Sequence, residues 1–344
     1  MRRSLRCALA GLALAAVSTL TAASEPPGDV PLPVHQCQRA CLEGYMDKYL
    51  AAMAAHNVDP ALFARNVRFT ENGVELPFGT EGLWATASGI GTYKFYVPDV
   101  ETQQVAFMGT MREQASSSAA GPKRPPDPVG IDVRLRIDAS GKISEVEQIV
   151  ARPDRPLGAS SAPSSSPFPA TGAAVEAMGS PNPVFLQAVP AGERESRADL
   201  IAVANQYFTA MQRNDGKGYY PFADDCLRHE NGMISAGPPG TPGGLNGRPL
   251  QTCKAQFETS LKGVVTSIRD RRYVAVDRER GIVFVFGAFD HRPIDWTWDM
   301  GELFKIEHNK IRRIEAIFIR GPYGVCSGWS TYEQCRSEEI HDVR

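Results

Sequence analysis

The sequence predicts an α+β fold built twice, and three observations carry that reading. Each half opens with a stretch whose apolar residues recur at helical spacing and continues into strand-like runs. The tripeptide Glu-Asn-Gly recurs at the matching point of each half, at Glu71-Asn72-Gly73 and Glu230-Asn231-Gly232. Between the halves, residues 153–194 are rich in Pro, Ser, Ala and Gly and have little periodicity, which reads as a linker. The expected architecture is two tandem cone-shaped domains, 35–152 and 195–344. Each would be a curved antiparallel sheet packed on helices.

The first helix is expected over Cys37–His56, where Cys41, Leu42, Tyr45, Met46, Tyr49, Leu50 and Met53 fall on one face. Its counterpart is Ser196–Arg213, with Leu200, Ile201, Ala204, Tyr207, Phe208 and Met211, and Ser196 with Asp199 suits a helix start. Each leads to a short turn, Leu62-Phe63-Ala64-Arg65 or Pro221-Phe222-Ala223-Asp224, and then to the strand that ends in Glu-Asn-Gly. A second helix is expected at Glu81–Ser88 and at Cys253–Ser267. Strands follow at Tyr93–Val97, Gln104–Glu113, Gly130–Ile137 and Lys142–Val150, the last two joined by the tight turn Asp138-Ala139-Ser140-Gly141. In the second half they are Arg271–Val276, Gly281–Asp290, Thr297–Glu307 and Lys310–Arg320, with His308-Asn309 as the matching hairpin tip.

With 344 residues, 42% hydrophobic, and 37 basic against 39 acidic groups, the chain can bury two cores. Wholesale disorder is excluded, and the even charge argues against a nucleic-acid partner. Arg2, Arg3 and Arg6, the apolar run Cys7–Leu20, and the small residues Thr21, Ala22, Ala23 and Ser24 form an export signal over residues 1–24. Arg2-Arg3 followed by Leu5 leaves the twin-arginine route open beside the general one. No later run is apolar for about 18 residues, so no membrane span is expected after signal removal.

Of the 7 cysteines, Cys7 lies in the signal. The others, Cys37, Cys41, Cys226, Cys253, Cys326 and Cys335, suit disulfides in a periplasmic or secreted protein. Cys226 with Cys253 is favoured because they bracket a Gly/Pro-rich loop, and Cys326 with Cys335 would close a short C-terminal loop. Cys37 and Cys41 could pair locally or tie to the C-terminal pair. As a metal site their spacing lacks a partner pair, so no metal is expected.

The element order and the stretch Phe222-Ala223-Asp224-Asp225-Cys226-Leu227-Arg228-His229-Glu230 together resemble the nuclear-transport-factor-2-like, or SnoaL-like, superfamily, as a tandem pair covering nearly all of the mature chain. The stretch is similar to the Tyr-Ala-Asp-Asp turn and following strand of ketosteroid isomerases. In that family an Asp on this strand is the general base; Glu230 falls at that place, and Glu71 falls there in the first half. The chain also resembles secreted fungal and bacterial tandem proteins with a comparable strand. The resemblance implies isomerisation, dehydration, cyclisation or retro-aldol cleavage by placed acids and bases, without a cofactor. It equally implies cones that only hold a ligand or a partner.

If Glu230 points inward, His229 and Asn231 point outward or to the rim. A carboxylate walled by apolar groups has its pKa raised, as a general acid or base near neutral pH requires. Against that, Glu-Asn-Gly also reads as a strand-ending turn. Asp290-His291 ends an apolar strand and could form an acid/base pair with Glu230, or could be a plain turn. Its counterpart, Arg112-Glu113, lacks an imidazole. Arg269 within Arg269-Asp270-Arg271-Arg272 could hold an anionic substrate, or the run could be a solvated strand entrance. Trp84, Tyr93, Tyr96, Trp296 and Trp298 could line a pocket for a flat ligand, with His229 at its rim, or could be core. Trp296, Trp298 and Met300 could equally form a sheet face packing on the other domain or on a second copy of the chain.

No phosphate loop, Gly-x-Ser-x-Gly elbow or His-Glu-x-x-His motif is present. The expected function is an exported, cofactor-independent lyase, dehydratase or isomerase. It would act by general acid–base catalysis on a small apolar or aromatic molecule through Glu230, Asp290, His291 and Glu71. The alternative is a non-catalytic module that binds a small molecule or a protein.

Overall fold

The computed structural model describes residues 36–114, 125–154, 166–213, 215–243, 249–259, 265–331 and 335–344. The expected signal at 1–24 lies outside them.

Helix α1, Arg39–Ala54, buries Leu42, Met46, Tyr49, Leu50 and Met53, the face its spacing predicts. Strand β1, Phe63–Glu71, and the short β2, Val74–Glu75, form a hairpin. Then come α2, Leu83–Thr86, and the meander β3, Ala87–Asp99; β4, Gln104–Glu113; β5, Asp127–Ile137; and β6, Ile143–Ala151. The order across the sheet is β2-β1-β6-β5-β4-β3. The second half repeats this plan: α5, Arg197–Arg213; β7, Phe222–Glu230; β8, Met233–Ala236; α6, Cys253–Thr259; β9, Ser267–Asp277; β10, Ile282–His291; β11, Trp296–Glu307; and β12, Lys310–Pro322. A strand not foreseen, β13, Ile340–Asp342, adds parallel to the β9 edge, giving β13-β9-β10-β11-β12-β7-β8.

Neither sheet is wholly antiparallel. β1 joins β6 in parallel, and β7 joins β12 in parallel. Parity requires it: four meander strands leave the last antiparallel to the first, so an opening strand reversed relative to that first strand runs with the last.

The segments Leu62–Arg65 and Pro221–Asp224, expected as turns, are already strand from Phe63 and Phe222. Strand β3 starts at Ala87 rather than Tyr93, and α2 is correspondingly short. The glycines at 89 and 91 hide its alternation, while Ala87 faces Glu113 across the ladder.

Both Glu-Asn-Gly tripeptides form two-residue hairpin tips with positive φ at Asn and Gly: 53° and 77° at Asn72 and Gly73, 49° and 80° at Asn231 and Gly232. Each Asn side chain then bridges to the last strand of its meander, β6 or β12. Asn72 accepts from the Val150 amide at 2.7 Å and Asn231 accepts from the Phe318 amide at 2.8 Å.

Within 153–194, the described residues 166–194 carry α3, Thr171–Ala177, and α4, Pro183–Leu186, and bury Phe168, Val175, Phe185 and Val189. These isolated apolar residues lack periodicity, so the sequence gives no sign that they are packed. Val175 and Phe185 enter a core formed by the outer faces of both sheets, with Tyr93, Phe95 and Met108 from one and Phe284, Phe286 and Ile317 from the other. That layer also buries charge. Arg272 donates to both oxygens of Glu147 at 2.6 and 2.8 Å, and Glu147 also accepts from Arg134 at 3.2 Å. Gly301 leaves room there for Asp132, whose Oδ2 would stand 2.3 Å from an added Cβ.

Three disulfides, Cys37–Cys41, Cys226–Cys253 and Cys326–Cys335, belong to an oxidising compartment. No helix among the described residues is long and apolar enough to cross a membrane.

Candidate functional site

The inner faces of the two sheets differ in what fills them. In the first half, Trp84 packs edge-on against Tyr49, Phe63 and Phe78, with ring centres 4.8 to 5.9 Å apart. Tyr49 donates to Gln148 at 2.7 Å, and Gln148 donates to Glu71 at 2.8 Å. Glu71 also accepts from the Leu83 amide at 2.7 Å and pairs with Arg152 at 2.8 Å. Glu71 and Trp84 are thus committed to packing and to the start of α2.

In the second half a cavity of about 270 Å³ remains between β7, β10, β11 and α5. Phe168, Met211, Val265, Phe289, Trp298 and Met300 supply its apolar wall. Tyr207, Arg228, Glu230, Ser235, Gln256 and His291 supply the polar one. Alternation on β7 sends Arg228 and Glu230 inward together, with Arg228 Nε 3.6 Å from Glu230 Oε1. Arg228 is buried and donates from Nε to Ser235 Oγ at 2.9 Å, from Nη1 to the Tyr207 hydroxyl at 3.3 Å, and from Nη2 to Gln256 Oε1. Glu230 accepts no hydrogen bond among the described residues.

His291 ends β10 with its ring 4.2 Å from that of Trp298. Its Nδ1 lies 2.9 Å from the Phe289 carbonyl oxygen. A carbonyl only accepts, so Nδ1 carries the proton and Nε2 holds a lone pair. Nε2 is buried with no partner among the described residues. Burial lowers the imidazole pKa, more than the Phe289 carbonyl and Asp290 raise it.

Behind Tyr207 and Arg228 stands Glu302, on the same face of β11 as Trp298 and Met300. Burial pushes its carboxyl up to about 8, and the nearby Tyr207 hydroxyl and Arg228 offset this only in part. Neither oxygen makes a well-formed hydrogen bond among the described residues.

The structure therefore brings Glu230, His291 and Trp298 to one cavity and leaves the other expected site residues elsewhere. Asp290 points to the opposite face from His291, where Arg269 grips it through two bonds of 2.9 and 3.1 Å and Thr297 donates at 2.6 Å. Arg269 is held further by the Cys335 and Val325 carbonyls. His229 and Tyr93 lie on the outer faces, and Tyr93 donates there to Glu315. Trp298 and Met300 line this cavity, and Trp298 with Trp296 also borders a cleft shared with Asn72, Val150 and Arg152 of the first half. Sequence reasoning missed Arg228, Glu302, Ser235, Gln256 and Phe168 as cavity residues. The signal for the first two was present: Arg228 is two residues from Glu230, and Glu302 continues the alternation of Trp298 and Met300.

A domain of unknown function, DUF8021, matches residues 193–318 of the chain. No curated protein matches the sequence. Among solved structures, a de novo designed protein with a curved β-sheet is similar at 16% identity over 36% of this chain and 88% of its own, with a TM-score of 0.26. A LEH-like epoxide hydrolase from M. tuberculosis is similar at 14% identity over 36% of this chain and 84% of its own, with a TM-score of 0.26. An NTF2-like protein from Burkholderia xenovorans LB400 is similar at 20% identity over 36% of this chain and 92% of its own, with a TM-score of 0.25.

Proposed function

We propose that the second half is the active one, in an exported enzyme that works by proton transfer on a small apolar or aromatic molecule without a cofactor. The observation that supports this most directly is His291: a neutral imidazole with Nδ1 tied to the backbone and an unpartnered Nε2 at a cavity that also holds Glu230. An imidazole fixed this way is a base already in the required tautomer. Nε2 takes a proton from the substrate, and the resulting imidazolium returns it to the leaving oxygen. The Glu230 carboxylate stabilises that cation, and Arg228 holds Glu230 in place. The chemistry is elimination or isomerisation, so the class is lyase, dehydratase or isomerase. The two tandem domains contribute unequally, the first supplying a packed partner for the second.

The test follows proton movement rather than one substrate. The full chain is incubated in D2O with a panel of alicyclic and aromatic alcohols and carbonyl compounds, and deuterium uptake or loss of water is followed by NMR. His291→Ala and Glu230→Gln should each slow any conversion by on the order of a hundredfold. Unchanged rates in both variants remove the proposal.

A further inference from the structure

The donors and acceptors of the second-half cavity are unequally committed. On the acceptor side, His291 Nε2 has no partner, and the Glu230 carboxylate receives no hydrogen bond among the described residues. On the donor side, three of the five N–H groups of Arg228 donate to protein oxygens, one from each nitrogen, and its charge faces Glu230 at 3.6 Å. Gln256 Nε2 donates to the Ser235 carbonyl, and the Ser235 hydroxyl donates to the Arg228 carbonyl at 3.4 Å. The Tyr207 hydroxyl accepts from Arg228 and stands beside Glu302. The lining thus presents a buried acceptor, His291 Nε2, that no protein group among the described residues satisfies, and its one cation is already balanced by Glu230.

Buried acceptors are costly until a donor reaches them. A ligand that brings a proton satisfies them. A carbonyl or ether oxygen adds another acceptor, and a carboxylate adds a negative charge beside Glu230. The indole N–H of Trp298 has no acceptor among the described residues, and a hydroxyl oxygen can receive it where an ammonium cannot. The wall of Phe168, Met211, Phe289, Trp298 and Met300 demands an apolar body.

We propose that this cavity binds an apolar molecule through a hydroxyl group, an alcohol or phenol, and discriminates against the ketone, ether and carboxylate of the same skeleton. This narrows the reading above from proton transfer in general to substrates that carry a hydroxyl. It sets loss or transfer of that hydroxyl's proton above enolisation of a carbonyl, because a bound carbonyl oxygen brings no donor to His291 Nε2 or Glu230.

The experiment is equilibrium binding to the full chain by calorimetry, with matched sets on two bicyclic skeletons. The probes are 2-indanol, 2-indanone, 2-methoxyindane and indane-2-carboxylate, then 2-naphthol, 2-methoxynaphthalene and 2-naphthoate. The hydroxyl compound of at least one set should bind about tenfold more tightly than its relatives, or better. Glu230→Gln, which converts an acceptor into a mixed group, should narrow the alcohol-to-ketone ratio in that set. A ketone, ether or carboxylate that binds as tightly as its alcohol overturns the proposal, as does the absence of alcohol binding at millimolar concentration in both sets. Binding is read without turnover. A chain that selects alcohols yet moves no proton would sink the catalytic reading alone.

Discussion

Glu71 and Glu230 end corresponding strands, one residue before an Asn-Gly turn, and only Glu71 has its carboxylate hydrogen-bonded. The difference lies in their neighbours. Glu71 faces Gln148 across the ladder, whereas Glu230 faces Ala316, which has nothing to donate. Four residues further on, Arg152 returns to Glu71 at 2.8 Å, whereas Arg320 lies over the Trp296 ring at 4.0 Å. Two changes of partner turn a structural carboxylate into an available one.

The first prediction sets these two residues against each other. Glu71→Gln weakens the bond to the Leu83 amide and breaks the ion pair with Arg152, and should cost about 1–3 kcal/mol. Glu230→Gln removes no hydrogen bond and only the 3.6 Å ion pair with Arg228, whose guanidinium keeps its three hydrogen bonds, and should cost less than Glu71→Gln. Urea denaturation of both variants decides it; equal losses would mean that the two carboxylates do the same work.

Four buried carboxyls, Asp132, Asp299, Glu302 and Glu315, should give stability an alkaline slope, and two of them test it. Burial pushes Glu302 up to about 8, and burial together with Glu147 and Asp270 pushes Asp299 up to about 7 despite Arg272. Both stay protonated in the fold at pH values where the unfolded chain ionises. Their contribution is therefore full below about pH 4 and is lost as pH rises towards 7 or 8. Glu302→Gln and Asp299→Asn each remove their own part of the slope, while Glu315 and Asp132, also raised by burial, keep theirs, so each variant should gain on the wild type between pH 5 and 9, by on the order of a few kcal/mol. Melting temperatures across that range measure it, and a difference independent of pH would contradict the assignment.

His291 should titrate below the ordinary imidazole range, because burial opposes its charge. Alcohol binding that depends on His291 should stay level from pH 8 down through 6.5 and weaken only at lower pH. Asp290, paired with Arg269 on the other face, is the nearest carboxylate along the strand, and removing it is not required for this behaviour. A midpoint at or above 6.5 in a calorimetric pH series would show that the imidazole is not held neutral.

The Asn side chains should act as matched pins. Asn72→Ala and Asn231→Ala each remove two bonds to the last strand of the meander and place a residue less tolerant of positive φ at a hairpin tip. Each should cost about 1–3 kcal/mol. The sites share no partner, so the double variant should show the sum within roughly 0.5 kcal/mol. Denaturation of the three proteins checks this, and strong non-additivity would mean that the two hairpins are coupled.

The sequence by itself determined the elements that periodicity can encode. Leu42, Met46, Tyr49, Leu50 and Met53 fixed the buried face of α1, and β4 fell where its apolar run placed it. The repeat was legible because a two-residue turn with positive φ strongly favours Asn-Gly, and the sequence carries that pair twice at the same point. Glu230 and His291 were legible as ends of inward strands. The packing of Phe168, Val175 and Phe185 was not legible, because single apolar residues among Pro and Ser show no period. Nor was the pairing of β1 with β6, since strand neighbours far apart in sequence leave no local pattern. Only the tertiary structure decided which carboxylate is available. Glu71 and Glu230 sit in the same tripeptide, and their difference rests on Gln148, Arg152 and Ala316, which reach them across a ladder that the chain closes only when it folds.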